Sequence, residues 1–269
     1  MHRSTELANT NLQISVGRHV SAAASDYARE KIGGALEYAG GPVLSARVRL
    51  EGHADPAVTD PTVAQANVNV DGRAVRAQVS AASAREAIDL LAARLRGRLE
   101  RMSRRGEPVR GHRFGPDPHV WHHGATPRPR LPYFPRPIEE REILRRKSFA
   151  LASQTCDEAA NDMALLDYEF HLFTEAGSEL DSVLYRTGQT SYRLAQLHPH
   201  PQAVIDSVVA VTISPTPPPA LSVEGAAERL ELTGWPFVFF VDPELDRGCV
   251  LYHRYDGHYG LITPAATAA

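Results

Sequence analysis

Apolar and polar positions alternate at period two over Leu12, Ile14 and Val16, over Leu44, Ala46, Val48 and Leu50, over Ala64, Ala66, Val68 and Val70, and over Val75, Ala77 and Val79. That period predicts half-buried strands. Between the first and second lies an alanine-rich stretch, about Ser21 to Tyr38, expected to be a helix whose last turn is loosened by Gly33 and Gly34. Asp71-Gly72 separates the last two strands and predicts a tight hairpin, because glycine takes positive φ without a Cβ clash. Ser83 precedes Glu86 by three residues, the spacing of a capping box, so a long helix is expected to start here. Ile88, Leu91, Leu95, Leu99 and Met102 fall on one arc of it, the arc that faces the sheet. The predicted order is βαβββα.

The second half carries a repeat. A shift of 67 residues aligns Ala159-Ala160 with Ala226-Ala227, Leu165 with Leu232, Phe170 with Phe237, Phe173 with Phe240, Val183-Leu184-Tyr185 with Val250-Leu251-Tyr252, and Tyr192 with Tyr259. Two copies of one α+β unit are implied: a strand (143–149 or 208–213), a helix (156–166 or 223–233), then three strands, the last hairpin of the second copy marked by Asp256-Gly257. Each copy of roughly 55 residues is too small for a comfortable core, so the two are expected to pair with each other. Phe170, Phe173, Val183, Tyr185, Phe237, Phe240, Val250 and Tyr252 are the expected pairing residues. The expected domains are 1–105, a linker over 106–142 with eight prolines and four glycines, and repeats over 143–200 and 201–269.

Charge adds a function class. The net charge of −3 conceals a polarised chain: up to Lys147 there are 24 basic against 16 acidic residues, and beyond it 5 against 16. A basic half of this kind points to a polyanion, with nucleic acid first. Arg94, Arg98, Arg101 and Arg105 sit at i, i+4, i+7 and i+11 on the second helix, and residues 94–110 hold seven arginines against Glu100 and Glu107. Like charges at those spacings repel, and a phosphate backbone offsets the repulsion through bidentate guanidinium contacts. No interleaved aromatic run accompanies them, which favours backbone and shape over base stacking.

Other classes recede. Cys156 and Cys249 are too few for a disulfide scaffold and suit a reducing cytosol, no window approaches a membrane span, and the first residues carry no apolar signal core, so a cytoplasmic protein is expected. There is no Gly-rich phosphate loop, G-x-S-x-G elbow or H-E-x-x-H spacing, so no enzyme and no cofactor is expected. His112, His119, His122 and His123 lie in the linker without the spacing of a metal site, and no metal is assigned.

Asp26-Tyr27 and Glu30-Lys31 in the first helix, with Ala87-Ile88-Asp89 leading into Arg94, Arg101 and Arg105 in the second, resemble the ribosome hibernation-promoting factors of the sigma-54 modulation / S30AE type. The run Val250 to Pro264, and Ile143 to Phe149 with Asp157 to Leu166, resemble the end and the beginning of the carboxyl-terminal domain of their long form. The resemblance implies a partner, the ribosome, with contacts to small-subunit RNA and ribosomal proteins in the decoding region that block messenger and transfer RNA. By position it implies RNA contacts from Lys31, Arg94, Arg98, Arg101, Arg104, Arg105 and Arg110. Gly33, Gly34 and Ala35 depart from the family, whose first helix continues with a further lysine. The usual long form has one carboxyl-terminal domain, which pairs between molecules and joins two ribosomes. This chain has two, an arrangement that resembles the dormancy-associated branch of mycobacteria and related actinobacteria. A short connection gives an intramolecular pair an effective concentration of order millimolar, so a monomer with an internal pseudo-dimer, binding single ribosomes, is expected. The alternatives are a factor that does join ribosomes, by swapping its repeats outward, and a ribosome-independent binder of structured RNA.

Overall fold

A computed structural model describes residues 12–54, 58–104, 136–188 and 190–265 of the chain. They form two compact units, divided after Pro132.

In the first unit β1 (Leu12–Val16), β2 (Val43–Gly52), β3 (Thr62–Val70) and β4 (Arg73–Ala81) form a sheet in that spatial order, with α1 (Ala24–Leu36) and α2 (Ala84–Arg104). β1 and β2 are parallel, which requires the α1 crossover, and the other pairs are antiparallel. Alternation decides the faces: Ala46, Val48, Leu50, Ala64, Ala66, Val68, Val75 and Ala77 are buried, whereas Arg47, Arg49 and Asn67 are exposed on the other face. Ile88, Leu91, Leu95 and Leu99 of α2 are fully buried against the first set, each contributing about 1.5–3 kcal/mol. Asp71 and Gly72 take φ of 50° and 81°, the left-handed pair that a two-residue hairpin needs. The Ser83 hydroxyl accepts the Glu86 N–H at 3.3 Å.

The second unit is built from two copies that exchange strands. β6 (Ser153–Gln154), α3 (Cys156–Leu166), β7 (Phe170–Glu175), β8 (Asp181–Arg186) and β9 (Ser191–Gln196) belong to the first copy, which is preceded by β5 (Ile143–Phe149). β10 (Ala210–Ile213) precedes α4 (Val223–Thr233), β11 (Phe237–Asp242), β12 (Arg247–His253) and β13 (Tyr259–Pro264) of the second. The two sheets run β10-β9-β8-β7-β6 and β11-β12-β13-β5. Thus β5 pairs in parallel with β13, β10 pairs in parallel with β9, and each copy's first strand completes the other copy's sheet. The repeat extends to detail: β6 meets β7 through Ser153 and Thr174, and their equivalents Ala220 and Val241 form the matching bridge.

Each helix starts and stops alike. Thr155 and Glu158 form a complete capping box on α3, and Ser222 caps α4 by accepting the Gly225 N–H. Asp167 and Gly234 close the helices in the left-handed conformation, with φ of 56° and 60°. Two different latches hold the exchanged strands. The Asp157 carboxylate accepts the N–H groups of Val208 and Val209 ahead of β10, and Arg141 ahead of β5 donates to Glu231 of α4 at 2.5 Å.

The layers run helix, sheet, sheet, helix. Cys156, Ala159, Ala160, Met163, Phe173, Leu184 and Leu194 fill the space under α3, and Ala226, Leu230, Val238, Phe240, Cys249 and Leu251 fill that under α4. Between the sheets lie Leu172, Val183, Phe239 and Val250, with Phe170, Tyr185 and Phe237 packed against them. The α+β class and the internal pseudo-dimer are therefore as expected.

Candidate nucleic-acid interface

The helices α1 and α2 run side by side in the same direction, Tyr27 beside Arg85 and Asp89, Tyr38 beside Arg96. Gly40 permits the approach at the far end, where a Cβ would overlap Ser103. At 100° per residue the buried arc of α2 leaves two flanks, one turned to α1 and one turned away from it. Each flank carries arginine.

On the flank turned away, Arg94 and Arg101 are exposed, roughly 10 Å apart along the axis by the helical rise. Arg98 lies between them in sequence but not on the surface. It sits about 55° from the centre of the apolar arc by the helical period, nearer than its neighbours, and is only 7% exposed. Its Nη1 donates to the Arg76 carbonyl of β4 at 2.8 Å. The expected four-residue stripe is therefore split, with Arg98 committed to the sheet. Arg104 ends α2, while Arg105, Arg110 and the four linker histidines lie outside the described residues.

On the α1 flank, cations stack on tyrosines. The Arg85 guanidinium lies 4.6 Å and the Lys31 ammonium 5.3 Å from the Tyr27 ring centre, and Tyr27 donates its hydroxyl proton to Asp89 Oδ1 at 2.7 Å. Two motif segments far apart in sequence, around Tyr27 and Asp89, are thus one contact. Arg96 lies 3.9 Å from the Tyr38 ring centre and pairs with Glu100 at 2.8 Å; that hydrogen bond raises its pKa. Arg85 lies outside the arginine stripe of the sequence, and its ring partner, Tyr27, is on another helix. Its signal was the helical spacing from Asp89, which puts both on one side.

The arrangement presents guanidinium groups on both flanks of one helix, those on the α1 side held by tyrosine rings. It suits a phosphate-bearing partner with its own folded shape.

The pairing residues sort by strand parity. Phe170 meets Phe237 with centroids 4.6 Å apart and Tyr252 at 5.6 Å, and Tyr185 meets Phe237 edge-on at 5.5 Å. Val183 and Val250 are fully buried in the same layer. Phe173 and Phe240 are elsewhere: each packs under its own helix, because a residue three positions along a strand points to the opposite face. Cys156 and Cys249 are free and buried under the helices, and burial pushes both thiols up to about 12. Among the described residues there is no group of metal-ligating side chains, and no helix is long and apolar enough to cross a membrane.

Fold and site together define a two-part protein, a cationic α+β domain followed by an internally paired tandem. Residues 14–107 match the family model described as sigma 54 modulation protein / S30EA ribosomal protein, and residues 138–194 and 208–261 each match the model of its C terminus. The chain is 36% identical over 211 residues to the dormancy associated translation inhibitor of Mycobacterium tuberculosis, covering 76% of this chain and 71% of that one. It is 24% identical over 177 residues to the ribosome hibernation promotion factor of a Picosynechococcus species, covering 64% and 88%. Among solved structures, the N-terminal domain of Protein Y from Thermus thermophilus is 26% identical with a TM-score of 0.29, covering 34% of this chain and 98% of that one. The chain belongs to the sigma 54 modulation / S30EA ribosomal protein family. That family consists of ribosome-associated hibernation and translation-inhibition factors, not enzymes.

Proposed function

We propose that this chain is a cytoplasmic hibernation factor that silences translation under stress or dormancy by seating its N-terminal unit in the decoding region of the small ribosomal subunit. There it excludes messenger and transfer RNA and stabilises single inactive ribosomes. The observation that carries the reading is the pair of cationic flanks on α2, in a chain whose relatives are named for translation inhibition and ribosome hibernation. Arg94 and Arg101 face the RNA on one flank, with Arg104, Arg105 and Arg110 extending the same basic tract along the chain. Lys31 and Arg85 contact it on the other. The acidic second unit avoids broad RNA contact by charge, and its two copies satisfy each other, so the chain acts as a monomer and does not join ribosomes.

Sedimentation of purified ribosomes with the chain through a sucrose gradient tests this. The chain is expected in the single-ribosome peak, and Arg94→Glu/Arg101→Glu is expected to leave it at the top of the gradient at moderate salt. A shift of ribosomes into a dimer peak removes the internal-pairing part of the reading. Absence of the chain from every ribosomal peak, with tight binding to plain duplex RNA, replaces it with a ribosome-independent RNA binder.

A further inference from the structure

The two sheets of the second unit pack so that residues meet their own repeat equivalents across a local twofold axis. Phe170 rests on Phe237, Leu172 and Val183 share a layer with Phe239 and Val250, and Asp181 meets Gly248, 67 positions on. A first copy paired with another first copy would therefore place residue 181 against residue 181. The apolar layer is nearly symmetric under that exchange, since Phe faces Phe, Val faces Val and Tyr185 matches Tyr252, with Leu172 against Phe239 the one change of size among these residues. Position 181 is not.

Asp181 is 6% exposed and has no chemical equivalent in the second copy. Its carboxylate receives Arg247 Nε at 2.7 Å and Nη2 at 3.0 Å, a bidentate pair, and the Gly248 N–H at 3.1 Å. Opposite Asp181 the second copy carries no side chain at all. A Cβ on Gly248 would come within 2.7 Å of the Phe239 ring and 3.2 Å of the Asp181 Cβ. The repeat equivalent of Arg247 is Leu180, so a first copy offers no guanidinium to its like. Like pairing of first copies buries two carboxylates in contact without a cation. Like pairing of second copies brings two Arg247 side chains together with no carboxylate from position 248 between them. The first leaves buried carboxylates without the cation they have here, which is the costly case, and the second sets half-buried guanidinium groups against each other.

We propose that Asp181, Arg247 and Gly248 are the specificity determinants of the pairing surface, so that a first copy fits only a second copy and like-with-like pairing is rejected. The partner this surface takes is the complementary half of the same sequence. A short connection then selects the half in its own chain over that of a neighbour. The apolar layer supplies adhesion common to all pairings, and the ion pair supplies discrimination. This inference concerns the pairing of the repeats and is independent of what the first unit binds.

The test uses the full chain in buffer without ribosomes, so its failure leaves the ribosomal reading untouched. Arg247→Asp sets two carboxylates against each other, and Asp181→Arg sets two guanidinium groups against each other. Each is expected to lower the melting temperature of the second unit by roughly 10 °C. Combining the two reversals is expected to recover at least half of that loss. Refolded together, the two single variants satisfy both ion pairs only crosswise between chains. Sedimentation velocity is then expected to show a 1:1 dimer that neither variant forms alone. Should the reversals fail to fold, Asp181→Asn, Arg247→Met and their combination supply the same information, with losses that fall short of additive by several degrees. Unchanged melting of the single variants overturns the proposal, as does additive loss together with no crosswise dimer.

Discussion

Truncating Phe237 tests whether the inter-sheet layer holds the tandem together. The ring packs on Phe170 at 4.6 Å and receives the edge of Tyr185 at 5.5 Å, inside the layer that contains Leu172, Val183, Phe239 and Val250. Truncating a fully buried Phe to Ala costs about 3–5 kcal/mol, part of it the cavity and part the lost ring contacts. Phe237 is half-buried, so the lower end applies, about 3 kcal/mol. For a unit spanning Tyr133–Ala269 that corresponds to a fall of roughly 10 °C in melting temperature. Differential scanning calorimetry of the full chain reads it directly, because the first unit is a separate compact body whose transition is expected to stay in place. Leu232→Ala is the control: that side chain is 88% exposed, and its loss is expected within about 0.5 kcal/mol. A shift below 3 °C for Phe237→Ala, or an equal shift for Leu232→Ala, would refute the view that the sheets depend on this layer.

Other predictions concern the remaining sites. Arg98→Ala is expected to destabilise the first unit, measured by thermal melting, because the side chain is buried on β4; replacing the exposed Arg94 or Arg101 by Ala is expected to shift melting far less. If both of those arginines contact phosphate, their double replacement flattens the slope of log affinity for ribosomes against log salt by between one and two units. Cys156 and Cys249, with thiols pushed up to about 12 by burial, are expected to resist iodoacetamide in the native chain at pH 8 and to react on unfolding. Burial pushes the Glu231 carboxyl up, but the hydrogen bonds from Tyr259 and Arg141 outweigh it and hold its pKa below the ordinary value. A depressed carboxylate contributes stability above its unfolded pKa and loses it as pH falls through the folded one, so Glu231→Gln is expected to weaken the second unit at pH 7 and to flatten its acid limb below about pH 4.5.

Much of the architecture is written in local periodicity. The helices over 156–166 and 223–233, the strand over 143–149 and the hairpin at Asp71-Gly72 follow from spacing, caps and turn chemistry, which act over a few residues. So does the 67-residue repeat, because equivalent cores need equivalent side chains at equivalent positions. The separation of Phe170 from Phe173 was legible too, since strand parity sends them to opposite faces.

Partner choice between distant segments was not legible. Periodicity makes 143–149 a strand but carries no information about which sheet edge receives it, and only the folded chain joins β5 to β13 and β10 to β9. Arg94, Arg98, Arg101 and Arg105 read as one stripe of α2, with Arg96 beside it, until the sheet and α1 are in place. Arg98 then falls to the β4 backbone, Arg85 and Arg96 to the tyrosines of α1, and Arg94 and Arg101 to the exposed flank. Asp181 and Arg247 stand 66 residues apart and become a pair only when two sheets close on each other. A sequence by itself determines what each segment prefers to be. Tertiary packing decides which groups lose water together, and a charge has its partner and its energy only once that is settled.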